Sequence, residues 1–150
     1  MPGESLKLLV KKEAHAIDIP LPGYMTEGSS GMDLYAAVDD EIIIAPGEIT
    51  LIPTGLTVAV PSGYELQIRP RSGMAAKHGI GILNSPGTID SDYRGEIKVV
   101  MINLGQKIFA VKRCDRIAQM VLCPVLRAIF EEIDILPPTV RSDGGFGHTG

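Results

Sequence analysis

The chain has no tryptophan, and its three Phe and four Tyr are the only aromatic residues among 150. Its hydrophobic content of 45% must therefore pack through Ile, Val and Leu, which favour strands. Cysteine is almost missing too. Cys114 and Cys123 form neither a CxxC pair nor a metal-ligand spacing, which excludes a disulfide framework and predicts two buried, reduced thiols. Positive charge is not in excess: 14 Lys and Arg face 18 Asp and Glu, a net charge of −4. A nucleic-acid backbone would find no basic face here, so any phosphate must be met by a few placed arginines. No apolar run reaches the ~18 residues of a membrane span, and Met1 to Ser5 carries no secretory signal pattern. These absences predict a soluble, cytoplasmic protein with neither nucleic acid nor membrane as partner.

Turn residues, by contrast, are abundant. Eleven Pro and seventeen Gly spread along the chain leave little room for long helices and imply many turns. Strands are expected at Leu6–Val10, from Asp33 or just after it, at Ile42–Ile44, Thr50–Ile52, Leu56–Val60 and Tyr64–Arg69. Lys107–Val111 and Arg116–Val121 complete the set, and Pro124 and Pro137-Pro138 bracket one more apolar segment. Ser72 is placed to cap a short helix that Gly79 ends. About ten short strands at 8–12-residue intervals predict an all-β jelly roll or sandwich with one short helix. One domain of this length buries roughly 68–70% of its unfolded surface.

The densest chemistry lies between Asn84 and Gly95, at the mouth of a wide β-hairpin whose apolar arms are Gly81–Leu83 and Ile97–Ile102. An amide, two carboxylates, a phenol and a guanidinium meet there, more than a turn requires, although Asp and Asn also serve turns for backbone reasons. Arg71-Ser72-Gly73 follows a strand and opens a helix, where backbone N–H groups and an Arg fork suit an anion. An ordinary helix cap beside a surface Arg reads equally. The tail from Val140 to Gly150 embeds Arg141 and Phe146 among Gly144, Gly145 and Gly147. It is either an unstructured terminus or a segment that closes on a flat ring and a phosphate. Asp33, Asp115, Arg116 and Gln119 read singly as turn or surface residues, and Lys112, Arg113 and Arg116 as a solvated basic patch. His15 and His78 show no ligand spacing, and no HExxH or Walker pattern occurs.

Together these residues resemble the trimeric dUTP diphosphatases (dUTPases), whose five motifs appear in order. They are Gly31–Ala37, Arg69–Ala75, Gly87–Glu96, Asp115–Met120, and Arg141 with Gly144–Gly147. In the last motif, Ser142 and His148 stand where the commonest family form has Gly and Ser, which bears on the tail's contacts to the terminal phosphate. The resemblance implies a single domain over residues 1–150 of dUTPase-like β-clip type. Its jelly-roll core spans about 1–136, and a flexible, Gly-rich active-site lid spans about 137–150. It implies a homotrimer with sites at subunit interfaces, and hydrolysis of dUTP to dUMP and pyrophosphate. That reaction keeps uracil out of DNA and supplies dUMP for dTMP synthesis.

The same resemblance distributes the roles. Asp90 is the general base for water attacking the α-phosphorus, and Asp33 positions the water network. Mg²⁺ is held by the triphosphate and water, and Asp33 could meet it through water. Arg71, Ser72, Gly73, Gln119 and Arg141 bind phosphates. Asn84, Thr88 and Ile89 of the hairpin read uracil, Tyr93 excludes a 2′-hydroxyl, and Lys98 lines the pocket. Phe146, followed by Gly147, stacks over the base. A dCTP deaminase of the same fold and a non-catalytic nucleotide-binding jelly roll are the alternatives.

Overall fold

The computed structural model describes residues 5–147. Alternating apolar residues produce eleven short strands, all paired antiparallel, as expected where each strand has one buried and one wetter face. β1 (Leu9–Lys12) pairs with β5 (Leu56–Ala59), and β3 (Ile42–Ile44) with β10 (Phe109–Val111). A four-stranded sheet runs β2 (Met32–Tyr35), β11 (Arg116–Pro124), β6 (Tyr64–Arg69), β8 (Gly87–Ile89). A three-stranded sheet runs β4 (Ile49–Pro53), β9 (Lys98–Asn103), β7 (Ile80–Ile82). The inner faces share one aliphatic core that includes Leu34, Ile44, Ile52, Leu66, Ile97, Val99, Met101 and Ile117, all essentially solvent-free. No helix among the described residues is long and apolar enough to cross a membrane.

The strand expectations hold at β3 and β6 to the residue, whereas β10 begins two residues later than Lys107 and β11 runs three residues beyond Val121. β1 begins three residues later than Leu6, and Ile43 is exposed on β3. The helix α1 (Ser72–His78) takes Arg71, not Ser72, at its N-cap, with no side-chain cap bond, while Gly79 ends it in the left-handed conformation at φ 68°. The cysteines are not buried as predicted: Cys114 is exposed and Cys123 half-exposed. Cys114 sits at φ 66° in the tight turn before β11, where its carbon skeleton has no core to enter. After Pro124 the described chain forms no further helix or strand. Leu126, Ile129, Phe130, Ile135 and Leu136 on this arm are all exposed.

The β7–β9 hairpin is wide because a strand of the other sheet is inserted in it. β7 and β9 pair through Ile82↔Met101, whereas β8 leaves the hairpin to pair with β6 through Leu66↔Ile89 and Ile68↔Gly87. The turn between β4 and β5 secures its exit. Thr54, wholly buried, donates both its backbone N–H (3.2 Å) and its hydroxyl (2.6 Å) to the carbonyl of Ile97. Replacing Thr54 with Val removes that hydroxyl donor in a dry site, and should cost about 1–3 kcal/mol. Urea unfolding of the two chains, compared at equal slope, measures the loss.

Arg113 binds Asp18 through two nitrogens, at 2.6 and 3.0 Å, and also donates to the carbonyls of His15 and Val38. The Arg113 hydrogen bonds hold Asp18 below the usual carboxylate range. A depressed folded pKa means that the pair contributes at neutral pH and is lost as pH falls through the lowered value.

Candidate active site

Antiparallel register, not sequence proximity, assembles the first half of the site. On the central strand β11, Gln119 lies opposite Asp33 of β2 on one side and Arg69 of β6 on the other. Arg71 lies just past the end of β6, after Pro70. The side chains of Asp33, Arg71 and Gln119 therefore converge at one end of the sheet, while that of Arg69 turns away to Gln67 and Cys123. Gln119 donates from Nε2 to the carbonyl of Pro70 (2.9 Å), fixing the chain that delivers Arg71. A side chain at position 31 could not coexist with this arrangement, since a Cβ there would stand 2.4 Å from Gln119 Oε1. That close approach explains the glycine.

Asp33 is only 9% exposed and is held between two guanidiniums. Its Oδ1 lies 3.3 Å from Arg71 Nε, and its Oδ2 lies 3.3 Å from Arg116 Nη1. Arg71 also donates from Nη1 to the backbone carbonyl of Arg116 (3.1 Å). One carboxylate thus orients two forked cations beside a concavity of ≈ 340 Å³, lined in part by Ser29, Gly31, Asp33, Arg71, Ser72, Gly73 and Gln119. Ser72 and Gly73 are exposed there. The Ser72 hydroxyl makes no hydrogen bond among the described residues. A net excess of positive charge, exposed hydroxyls and planar Arg forks suit a phosphate chain.

Arg116 is the residue that reading along the chain set aside. Grouping it with Lys112 and Arg113 as a solvated patch does not hold: Lys112 pairs with Glu41, Arg113 with Asp18, and Arg116 with Asp33. Its place in the fourth motif beside Asp115 and Gln119 was the available signal.

Asp90 stands at the other end of β6. Because Ile89 pairs with Leu66, Asp90 falls level with Glu65, six residues before Arg71. At ~3.3 Å per residue this is about 20 Å. Asp90 is exposed, and it borders a separate concavity of ≈ 530 Å³ with Tyr64, Glu65, Ser91, Asp92 and Arg127. The turn it opens is closed by the Tyr93 N–H bonding to the Asp90 carbonyl (3.2 Å). Tyr93 is exposed and donates its hydroxyl to the Glu96 carbonyl (3.0 Å). Asn84 and Thr88 are exposed, Ile89 is half-buried, and Lys98 is an exposed residue at the start of β9.

The tail residues join neither half. Arg141 donates from Nε to the Gly144 carbonyl (2.8 Å), Phe146 is fully exposed, and Gly147 follows at φ 91°. His148 lies outside the described residues. Among the described residues no group of three or more His, Cys, Asp or Glu converges as a metal cage.

The dUTPase family model matches residues 17–150. A deoxyuridine 5'-triphosphate nucleotidohydrolase of Thermoanaerobacter sp. (strain X514) is 56% identical over 146 residues, 97% of this chain and 99% of its own. The protein of that name from Wolbachia pipientis subsp. Culex pipiens (strain wPip) is 53% identical over 152 residues, 100% of this chain and 99% of its own. Among solved structures, the Staphylococcus bacteriophage 80alpha dUTPase with dUPNHPP aligns at TM-score 0.87 and 21% identity, covering 97% of this chain and 99% of that one. A mutant dUTPase from phage phi11 of S. aureus, described for its coordination of a structural Mg(II) ion, aligns at TM-score 0.77 and 19% identity. It covers 87% of this chain and 98% of that one. At such identities the two structures speak for the fold.

Proposed function

The chain belongs to the dUTPase family, and on that premise we propose that it hydrolyses dUTP to dUMP and pyrophosphate by in-line attack of water on the α-phosphorus. The observation that carries the reading is the convergence of Asp33, Arg71 and Gln119, from three adjacent strands or their ends, on one polar concavity. Arg71, Arg116, Ser72, Gly73 and Gln119 bind the phosphates there, and Asp33 holds the two arginines in position. Asp90 takes the proton from the attacking water, a role that contributes about 10²–10⁴-fold. Asn84 and the backbone at Thr88 and Ile89 read the uracil edge, and Lys98 lines the nucleotide pocket. Mg²⁺, bound together with the triphosphate and water, would supply charge neutralisation for the phosphates, and Asp33 is the carboxylate that would meet it through water.

A separation of about 20 Å between the Asp90 and Arg71 ends exceeds what one triphosphate nucleotide needs at its α-phosphorus. The complete site therefore combines the Asp90 end of one copy with the Arg71 end of another, in a cytoplasmic homotrimer of single-domain jelly rolls. Two surfaces support this assembly: the apolar arm from Val125 to Leu136, and the exposed Ile49 and Leu51 on β4. Residues 137–150 act as the lid, placing Arg141 on the phosphates and Phe146 over the base, with Gly147 supplying the bend.

Pyrophosphate release with Mg²⁺, comparing dUTP, dCTP, dTTP and UTP at equal concentration, tests the reading. Release from dUTP alone is expected. Ammonia from dCTP without pyrophosphate would favour a deaminase, and silence throughout would leave a nucleotide-binding module. Tyr93 lies beneath the deoxyribose, so Tyr93→Ala should raise UTP turnover at least about tenfold relative to dUTP, out of the roughly 10² that a pocket gains by rejecting one added hydroxyl. Unchanged sugar selectivity in that variant would remove Tyr93 from the role.

A further inference from the structure

Between β8 and β9 the chain has no sheet partner, yet it presents the tyrosine assigned to sugar selection. Its shape must be set from elsewhere, and Glu96 is where the fold reaches it. The Glu96 side chain, 20% exposed, accepts the Gly55 N–H at Oε1 (2.9 Å), and the same oxygen lies 3.4 Å from His15 Nε2. Gly55 itself has no freedom to follow a moving partner. It adopts φ 66°, and a Cβ there would overlap the Cβ of Ala16 at 2.0 Å. The Glu13 N–H bonds to the Gly55 carbonyl (2.8 Å), and the Ile97 N–H bonds to that of Leu56 (2.8 Å).

Tyr93 takes its position from this anchor by two contacts. Its hydroxyl donates to the Glu96 carbonyl, and the hydroxyl end of its ring closes on Gly95. A Cβ at position 95 would stand 2.3 Å from the Tyr93 hydroxyl and 2.6 Å from Cζ, so only glycine leaves the ring its place. A wall that rejects one hydroxyl group must be held to within about 0.5 Å, because a side chain free to yield by more admits the extra atom.

We infer that Glu96 is a specificity-determining positioning residue, which fixes Tyr93 by tying the hairpin exit to Gly55 and His15 through Gly95. The inference rests on the proposed role of Tyr93. Glu96 touches no substrate. Its carboxylate serves as a charged acceptor for a backbone donor 41 residues away in sequence, which makes the hairpin's height a property of the β4–β5 turn.

The test measures kcat/KM for dUTP and UTP with Mg²⁺ in the full-length protein and four variants. Glu96→Ala and Gly95→Ala should each lower the dUTP/UTP ratio by about tenfold or more, in line with the cost of a ~1 Å misplacement. Glu96→Gln keeps an acceptor for the Gly55 N–H and should stay within about threefold of the parent, a rescue that general loss of packing would not give. If Glu96→Ala does not fold, Glu96→Asp replaces it, since one methylene less withdraws the carboxylate from the Gly55 N–H while keeping its charge, and it should lower the ratio likewise. Should Tyr93→Ala collapse the ratio while Glu96→Ala and Gly95→Ala leave it within twofold, Glu96 has no positioning role and the reading of Tyr93 stands. Should Tyr93→Ala leave the ratio unchanged, the sugar-selection reading fails, and the role of Glu96 fails with it.

Discussion

Asp90→Asn should reduce pyrophosphate release from dUTP by about 10²–10⁴-fold, the contribution of a positioned general base. Nucleotide binding, followed by calorimetric titration, should persist within a few-fold. The amide matches the carboxylate in size, and it can still orient a water, but it cannot take the proton. Nothing in the fold opposes the change. Asp90 is exposed, and the turn it opens is closed through its backbone carbonyl, which the substitution leaves in place. Near-normal turnover would move the base elsewhere. Lost binding with lost turnover would mean that Asp90 holds the substrate instead of the water.

Deleting the chain from Arg141 onward should cost at least about 10²-fold in turnover, because a closing segment supplies orientation that free diffusion does not. The unfolding midpoint should stay where it is. Among the described residues, 141–147 hydrogen-bond only within the tail: Arg141 with Gly144, and Ser142 with Thr139 just before the cut. Phe146 packs on nothing in its own chain. A truncated chain with full activity would refute the lid. Mixing it with full-length Asp90→Asn adds a second reading, since each inactive chain carries what the other lacks. Recovered turnover would require sites shared between copies, whereas persistent inactivity would place the base and the tail on one chain.

Legibility differed sharply between local and distant features. The isoleucine run at 42–44 and the alternation at 64–69 carried their own strand boundaries, because side-chain period and turn punctuation are properties of neighbours. The wide hairpin was legible as two apolar arms around Pro, Gly and Asp. Its inserted strand was not: Gly87–Ile89 is too short to announce itself, and its pairing with β6 crosses to another sheet. The cysteines failed for a related reason. Burial of a thiol depends on what folds over it; the charged neighbours Lys112, Arg113, Asp115 and Arg116 marked the Cys114 turn as exposed, but they were read apart from the thiol.

The residues alone carried the class of fold, most of the strand positions and the roster of motif residues. Each of these follows from spacing, from the preference of Ile and Val for pleated surfaces, and from the backbone needs of Gly and Pro. Only the tertiary structure decided how those residues act on one another. Arg116 left a surface patch to clamp Asp33, and Glu96 reached across the fold to Gly55. The Asp90 and Arg71 ends, joined by one strand, came to lie about 20 Å apart. Contacts of this kind depend on strand register across the sheets, and register is set by which faces must be buried together, a condition that no stretch of chain satisfies alone.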